Sequence, residues 1–221
     1  SILLMALVVA SCHAQICWAQ IVELRSSDLD QLIWNKINDR LAALGKEKIK
    51  EALEVAKKMN HRRHYSQLLR VLANYDDKNA EKLRQEAITI LKEDGNQLDL
   101  GYAWHEMGHF LRVRRQKRDL RKSLNCQIAA QELANALNNR SLNAKTSMAI
   151  ANLQMMFGNA KEALRNFYRS YELNQGLGRI EESCLLLGNL ASCYIHLGDI
   201  KKATRMLRRA EKILKRLENY N

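Results

Sequence analysis

The chain has 221 residues, with 36 Lys or Arg against 24 Asp or Glu for a formal charge of +12, nine glycines and no proline. Hydrophobic residues make up 47% and aromatics only 6%, which suits a continuous helical core and argues against a sandwich or barrel of aromatic-rich strands. The charge favours acidic partners, whether a carboxylate-rich peptide, nucleic acid or an anionic membrane surface, and does not choose among them.

The chain opens with nine consecutive apolar residues at 2–10, ILLMALVVA. That run is too short to span a bilayer and right for the hydrophobic region of a signal peptide. Val9-Ala10-Ser11-Cys12 resembles a bacterial lipoprotein cleavage box, and Cys17-Trp18-Ala19 before Gln20 offers an ordinary cleavage site. Residues 1–19 are therefore expected to be a leader, and export to the periplasm or a lipid anchor is favoured over a cytoplasmic location. The other reading of the same run is a buried N-terminal helix packed on the first hairpin. Of the five cysteines, at 12, 17, 126, 184 and 193, none forms a CxxC pair. Cys184 and Cys193 lie nine apart on one predicted helix, too far along its axis to bond. Cys126, Cys184 and Cys193 are expected to be buried thiols.

Residues 20–60 read as a divergent helical hairpin, with a helical stretch at 28–60 broken at Gly45. Four pairs of small residues follow, each pair seven apart: Ala80/Ala87, Ser123/Ala130, Ala163/Ser170 and Ala203/Ala210. Their first members are spaced by 43, 40 and 40 residues, the period of stacked helical hairpins rather than of one globular core. The expected class is all-α, a solenoid of antiparallel helix pairs, with function on a surface.

The last unit is the most regular. Leu187, Leu190 and Tyr194 share one helical stripe, while Ala191 and Ala203 allow two antiparallel helices to approach closely. Gly198 suits the left-handed ending of the first helix, Asp199 can cap the second, and Gly158-Asn159 repeats that turn. With Ala203, Leu207 and Ala210, these residues follow the order large, Leu, small, aromatic, Gly, Ala, large, Ala. The unit resembles a tetratricopeptide repeat (TPR). The unit before it keeps Ser147, Ile150, Ala151, Gly158, Ala163, Phe167 and Ser170, with Gln154 in the aromatic position. Before that, Trp104, Met107, Gly108 and Leu111 match the opening W-x2-L-G-x2-Y. The resemblance is specific over 102–216 and implies a right-handed superhelix, with three repeats in 101–217, a divergent repeat in 61–100 and a tail at 218–221. A spacing of 40 rather than 34 adds about one and a half helical turns to each unit, as in the longer repeats of kinesin light chains, polarity adaptors and bacterial pheromone receptors.

His105-Glu106-Met107-Gly108-His109 also matches H-E-x-x-H, in which two imidazoles one turn apart bind zinc and the glutamate acts as general base. A hydrolytic site needs a third ligand, for which Glu132 is the nearby candidate. The repeat explains the same residues more fully. Trp104, Met107, Gly108 and Leu111 form its inward stripe and turn His105 and His109 to the opposite side. No cofactor and no catalytic residue is expected.

The resemblance implies that the second, fifth, ninth and twelfth positions of each unit line a peptide groove. They select Tyr102, His105, His109 and Arg112; then Lys145, Met148, Asn152 and Met155; then Leu185, Gly188, Ser192 and Ile195. Asn189 stands at the sixth position, where many peptide-binding TPRs carry an asparagine that grips ligand backbone. Arg112, Lys145 and the histidines would then favour an acidic protein segment. Two basic runs keep nucleic acid or a membrane surface open as alternatives: residues 112–122 hold seven basic residues against one acid, and 201–216 hold eight against one. Neither is interleaved with stacking aromatics, and solvated helix faces explain both.

Overall fold

The computed structural model describes residues 45–114 and 117–218. The leader expectation for 1–19 and the start of the first hairpin lie outside those residues. All of the regular structure described is helical, with no strand among the described residues. The chain forms two compact units that divide between Asn96 and Gln97.

In the first unit, a helix through 45–58 (α1) is followed by α2 (Arg62–Leu72) and α3 (Ala80–Asp94). Ile49, Leu53 and Ala56 of α1 share a buried cluster with Leu68, Leu69, Val71 and Leu72 of α2 and Ala87 of α3. A buried guanidinium stitches the turn between α2 and α3. Arg84 Nη1 donates to the carbonyls of Ala73 (3.0 Å) and Ala80 (3.2 Å), and Nη2 donates to Asn74 Oδ1 (2.6 Å). A buried cation is tolerable only with acceptors of this kind around it.

The second unit holds α4 (Gln97–Arg114), α5 (Lys117–Ala136), α6 (Arg140–Met156), α7 (Ala160–Gly176), α8 (Ile180–His196) and α9 (Ile200–Glu218). Each helix packs on the next, and α4 also touches α6. Helices α6, α7 and α8 are each 17 residues long. The left-handed residues Asn138, Gly158, Gly178 and Gly198 therefore recur at intervals of 20. The same backbone pattern closes every one of these turns. Asp199 N–H donates to the Tyr194 carbonyl (2.9 Å) and Gly198 N–H to Ile195 (3.0 Å), and Asn139, Asn159 and Arg179 repeat the longer bond to Ala134, Gln154 and Asn174. This is the double closure of a left-handed helix C-terminus, and it is identical within hairpins and between them. Asp199 caps α9 as expected, its Oδ1 accepting from Lys202 N–H at 3.0 Å. Asn139 caps α6 in the same way at 2.8 Å. Asn159 makes no such side-chain bond, so the Gly158-Asn159 turn repeats the backbone and not the cap.

Seven of the eight paired small residues lie in the interior, and Ala210 is partly buried. Ala87, Ser123, Ala130, Ala163 and Ser170 are each 0% exposed, because residues seven apart fall on one line of a helix. The serines add a polar contact to the close approach. Ser123 Oγ donates to the Gly108 carbonyl (2.6 Å) and Ser170 Oγ to the Ala144 carbonyl (2.8 Å), each crossing to the preceding helix. In the last hairpin Leu187, Leu190, Ala191, Tyr194 and Ala203 join one buried cluster with Phe167 and Met206. Leu207, expected as the large core residue of α9, is instead half exposed, and Met206 is the buried one. The stripe of α9 that meets α8 runs through Ala203, Met206, Ala210 and Ile213, which leaves Leu207 on the edge. Cys126, Cys184 and Cys193 are free and buried, and burial pushes the thiols of Cys126 and Cys193 up to about 11. No helix among the described residues is long and apolar enough to cross a membrane.

Ala203→Leu should overpack the crossing with α8 and destabilise the protein by roughly 1–3 kcal/mol, measured by urea unfolding. An unchanged midpoint would show that Ala203 does not sit at a close helix crossing.

Candidate functional site

Helix α6 is pressed between neighbours, and most of its surface is buried, from Ser141, Leu142 and Ala144 through Ala149, Ile150, Ala151 and Leu153. Lys145, Met148, Asn152 and Met155 stay partly open, and their steps of three, four and three put them on one face. On α8 the open line is Leu185, Gly188 with Asn189, Ser192 and Ile195; on α4 it is His105, His109 and Arg112. The three helices are joined side by side. Lys145 Nζ of α6 stands 5.5 Å over the Tyr102 ring of α4. Arg179 Nη2, at the start of α8, donates to Ser141 Oγ (2.6 Å), and the Cys193 thiol of α8 meets the Met155 sulfur at 3.3 Å.

The residues selected from the sequence do not all reach this face equally. Tyr102 is buried with Ala134 and Leu142, so it forms a floor beneath Lys145 and is not an open contact. His105 is held from behind: its Nδ1 lies 2.8 Å from Gln127 Oε1, while Gln127 Nε2 donates to the His105 carbonyl (3.0 Å). With the amide nitrogen used in that way, Oε1 accepts from His105 Nδ1–H, which fixes Nδ1 as a protonated nitrogen. Burial, above all, pulls the His105 pKa down from 6.5 to about 4, and the charges of Lys145 and His109 act in the same direction. The expected contribution of His105 to an acidic preference is therefore absent at neutral pH. His109 and Ser192 are exposed, and Arg112, Lys145, Asn152 and Asn189 are partly open.

Gln127 is the residue that sequence reasoning missed. It is 1% exposed and lies between Ser123 and Ala130, four residues after the one and three before the other. Gly108 makes room for it, since a Cβ there would overlap the Gln127 amide. The glycine of the HEMGH run is thus a packing residue. The zinc geometry is not assembled: Glu132 is exposed on α5, and among the described residues no three His, Cys, Asp or Glu side chains are grouped as ligands. In the first basic run, Arg114 pairs with the buried Asp119 carboxylate (3.3 Å) and lies over the Phe110 ring. In the second, Lys202 pairs with Asp199 (2.8 Å) and Lys215 with Glu211 (2.7 Å).

The folded His105 stays neutral down to about pH 4, whereas the unfolded ring takes up a proton near 6.5. Its contribution is therefore complete above 6.5 and lost as the pH falls toward 4, worth up to about 3 kcal/mol. Thermal melts across that range should show the loss, and His105→Asn, which keeps a neutral N–H donor, should flatten it. Dialysis against EDTA should leave the melting temperature unchanged; a drop restored by zinc would place a metal in the fold.

No protein-family model matches this chain, and no curated protein matches it by sequence. Solved structures do. BtubC (BKLC) from P. vanneervenii is 18% identical with a TM-score of 0.61, over 94% of each chain. A Podosopora anserina protein with nearly identical TPR-like repeats of kinesin-light-chain type is 13% identical with a TM-score of 0.66, over 84% of this chain and 95% of that one. The MamA protein is 14% identical with a TM-score of 0.54, over 86% and 94%. At such identities the likeness is one of fold, and with the small-residue pairs, the left-handed turns and the W-x2-L-G-like opening it leads to one statement: this chain folds as a tetratricopeptide-repeat-like helical solenoid.

Proposed function

We propose that this protein is a non-enzymatic interaction module that holds an extended segment of another protein along the face made by α4, α6 and α8. The observation that carries the reading is the line of partly open residues Lys145, Met148, Asn152 and Met155 on a helix otherwise mostly buried, continued on α8 by Leu185, Asn189, Ser192 and Ile195. Stacked hairpins present such continuous surfaces. Asn152 and Asn189 can each donate to one peptide group and accept from another, so they hold a backbone without reading its side chains. Leu185 and Ile195 are 67% and 53% exposed, and nothing lies within 4 Å of where a Gly188 side chain would begin. Together they offer a shallow apolar stretch at one end. Lys145 and Arg112 give the other end its attraction for carboxylates. The preferred segment then carries acidic residues toward α4 and apolar ones toward α8. In this reading the three repeats of 101–217 bind, and the hairpins of 20–60 and 61–100 are divergent members of the same series.

Panning a phage-displayed library of random peptides on the protein, followed by calorimetric titration of the enriched sequences, tests it. The enriched peptides should combine acidic and apolar residues, and Asn189→Ala or Asn152→Ala should weaken them by roughly 1–3 kcal/mol if a buried peptide group loses its partner. Enriched peptides that bind both variants as tightly as the parent protein would place the working surface elsewhere.

A further inference from the structure

The 40-residue period allows α7 and α9 to be compared position by position. Ala160, Phe167 and Asn174 of α7 are 9%, 1% and 5% exposed, and Phe167 is buried in one cluster with Leu186, Leu187 and Leu190 of α8. Their counterparts on α9 are Ile200, Leu207 and Leu214, which are 60%, 50% and 48% exposed. At two of the three positions the open residue is the larger and more apolar one, Ile200 against Ala160 and Leu214 against Asn174, and at the third Leu207 stands where Phe167 is covered. The flank differs as well: where α7 carries Tyr168, whose hydroxyl meets that of Tyr194 on α8 at 2.9 Å, α9 carries Arg208. Lys201, Arg208 and Lys215 each directly follow one residue of the apolar line, and all three are exposed.

We propose that this edge of α9 docks an acidic amphipathic helix of a partner protein. The apolar line repeats every seven residues and is one side chain wide, a strip that a single helix is broad enough to cover. A bilayer surface calls for a broad apolar face, and the adjoining stripe of α9, through Ala203 and Met206, is already committed to α8. A second copy would bring the same run of eight basic residues and one acid against itself, and like charges across a seam repel. The helix that covers the equivalent line on α7 points to the chemistry: α8 has Glu181 and Glu182 in its first turn and no Lys or Arg. An acidic helix with one apolar line therefore satisfies both the seam and its basic flank.

The test uses the whole chain and a synthetic three-heptad peptide with one Leu per heptad flanked by Glu, its counterpart with every Glu replaced by Lys, and vesicles containing phosphatidylserine. Fluorescence anisotropy should show saturable, salt-sensitive binding of the acidic peptide and none of the basic one. Leu207→Ser and Arg208→Glu should each weaken it by about tenfold or more, with unchanged circular dichroism because both side chains are exposed. Equal binding of the two peptides, or indifference to both edge variants, would overturn the proposal. Vesicle binding lost in Leu207→Ser without peptide binding would give the edge to a membrane surface. A concentration-dependent dimer on sedimentation, abolished by the same change, would give it to a second copy. Either result replaces the partner helix.

Discussion

Close approach between the two helices of a hairpin is the constraint from which the rest of the second unit follows. Where Ser123, Ala130, Ala163 and Ser170 stand, no side chain keeps the backbones apart, and two of these residues use the space for a hydroxyl that donates to a carbonyl of the facing helix. Such a contact loses little in side-chain entropy and leaves no polar group unmet. Once the second helix of a hairpin is held this near the first, large residues such as Phe167 and Leu187 must go to the neighbouring layers, and the first helices are pushed side by side. The open face of α4, α6 and α8 is the outer boundary of that packing.

The architecture was legible because its determinants are local and periodic. Small pairs seven apart, recurring at 40, could be counted, and the inward stripe of the last repeat followed from its spacing. What the sequence did not disclose depends on a neighbour. Whether Met206 or Leu207 enters the core is decided by which side of α9 meets a helix, and a single chain cannot say which of two adjacent residues that will be. The open positions on α6 and α8 were readable from the repeat register alone. Tyr102 was misjudged because position within a repeat gives the direction of a side chain and not the depth at which neighbours enclose it; His105 stays partly open, and only its charge is changed by the packing around its ring. Gln127 gave a weak signal, a long polar residue inside a line of small ones opposite a glycine, whose meaning appears only when Gly108 is seen to face it.

The same enclosure governs the charge of the candidate face. At neutral pH its cationic character rests on Arg112 and Lys145, with His105 held neutral by burial and by the positive charge of Lys145, against the opposite pull of its bond to Gln127. A face with few charges and with Met148, Met155, Leu185 and Ile195 along it adapts to its ligand through soft, polarizable packing. Selectivity for a carboxylate then depends on where that group falls along the row of helices. Bulk charge, large as it is for this chain, is carried mainly by other surfaces.

The identical turn at Asn138, Gly158, Gly178 and Gly198 has a consequence for how such a chain can change its length. Because, from α5 to α9, the reversal inside a hairpin is the same as the reversal between hairpins, that stretch has no punctuation to mark where a repeat begins, and its smallest interchangeable piece is a single helix with its turn. Removing forty residues would shorten the row and preserve which helices face outward. Removing twenty would leave every turn intact while exchanging the two roles from that point on, bringing second-helix surfaces built for burial to the open side. Parity, and not turn chemistry, is what protects the face: a chain of this kind can gain or lose helices safely only in pairs.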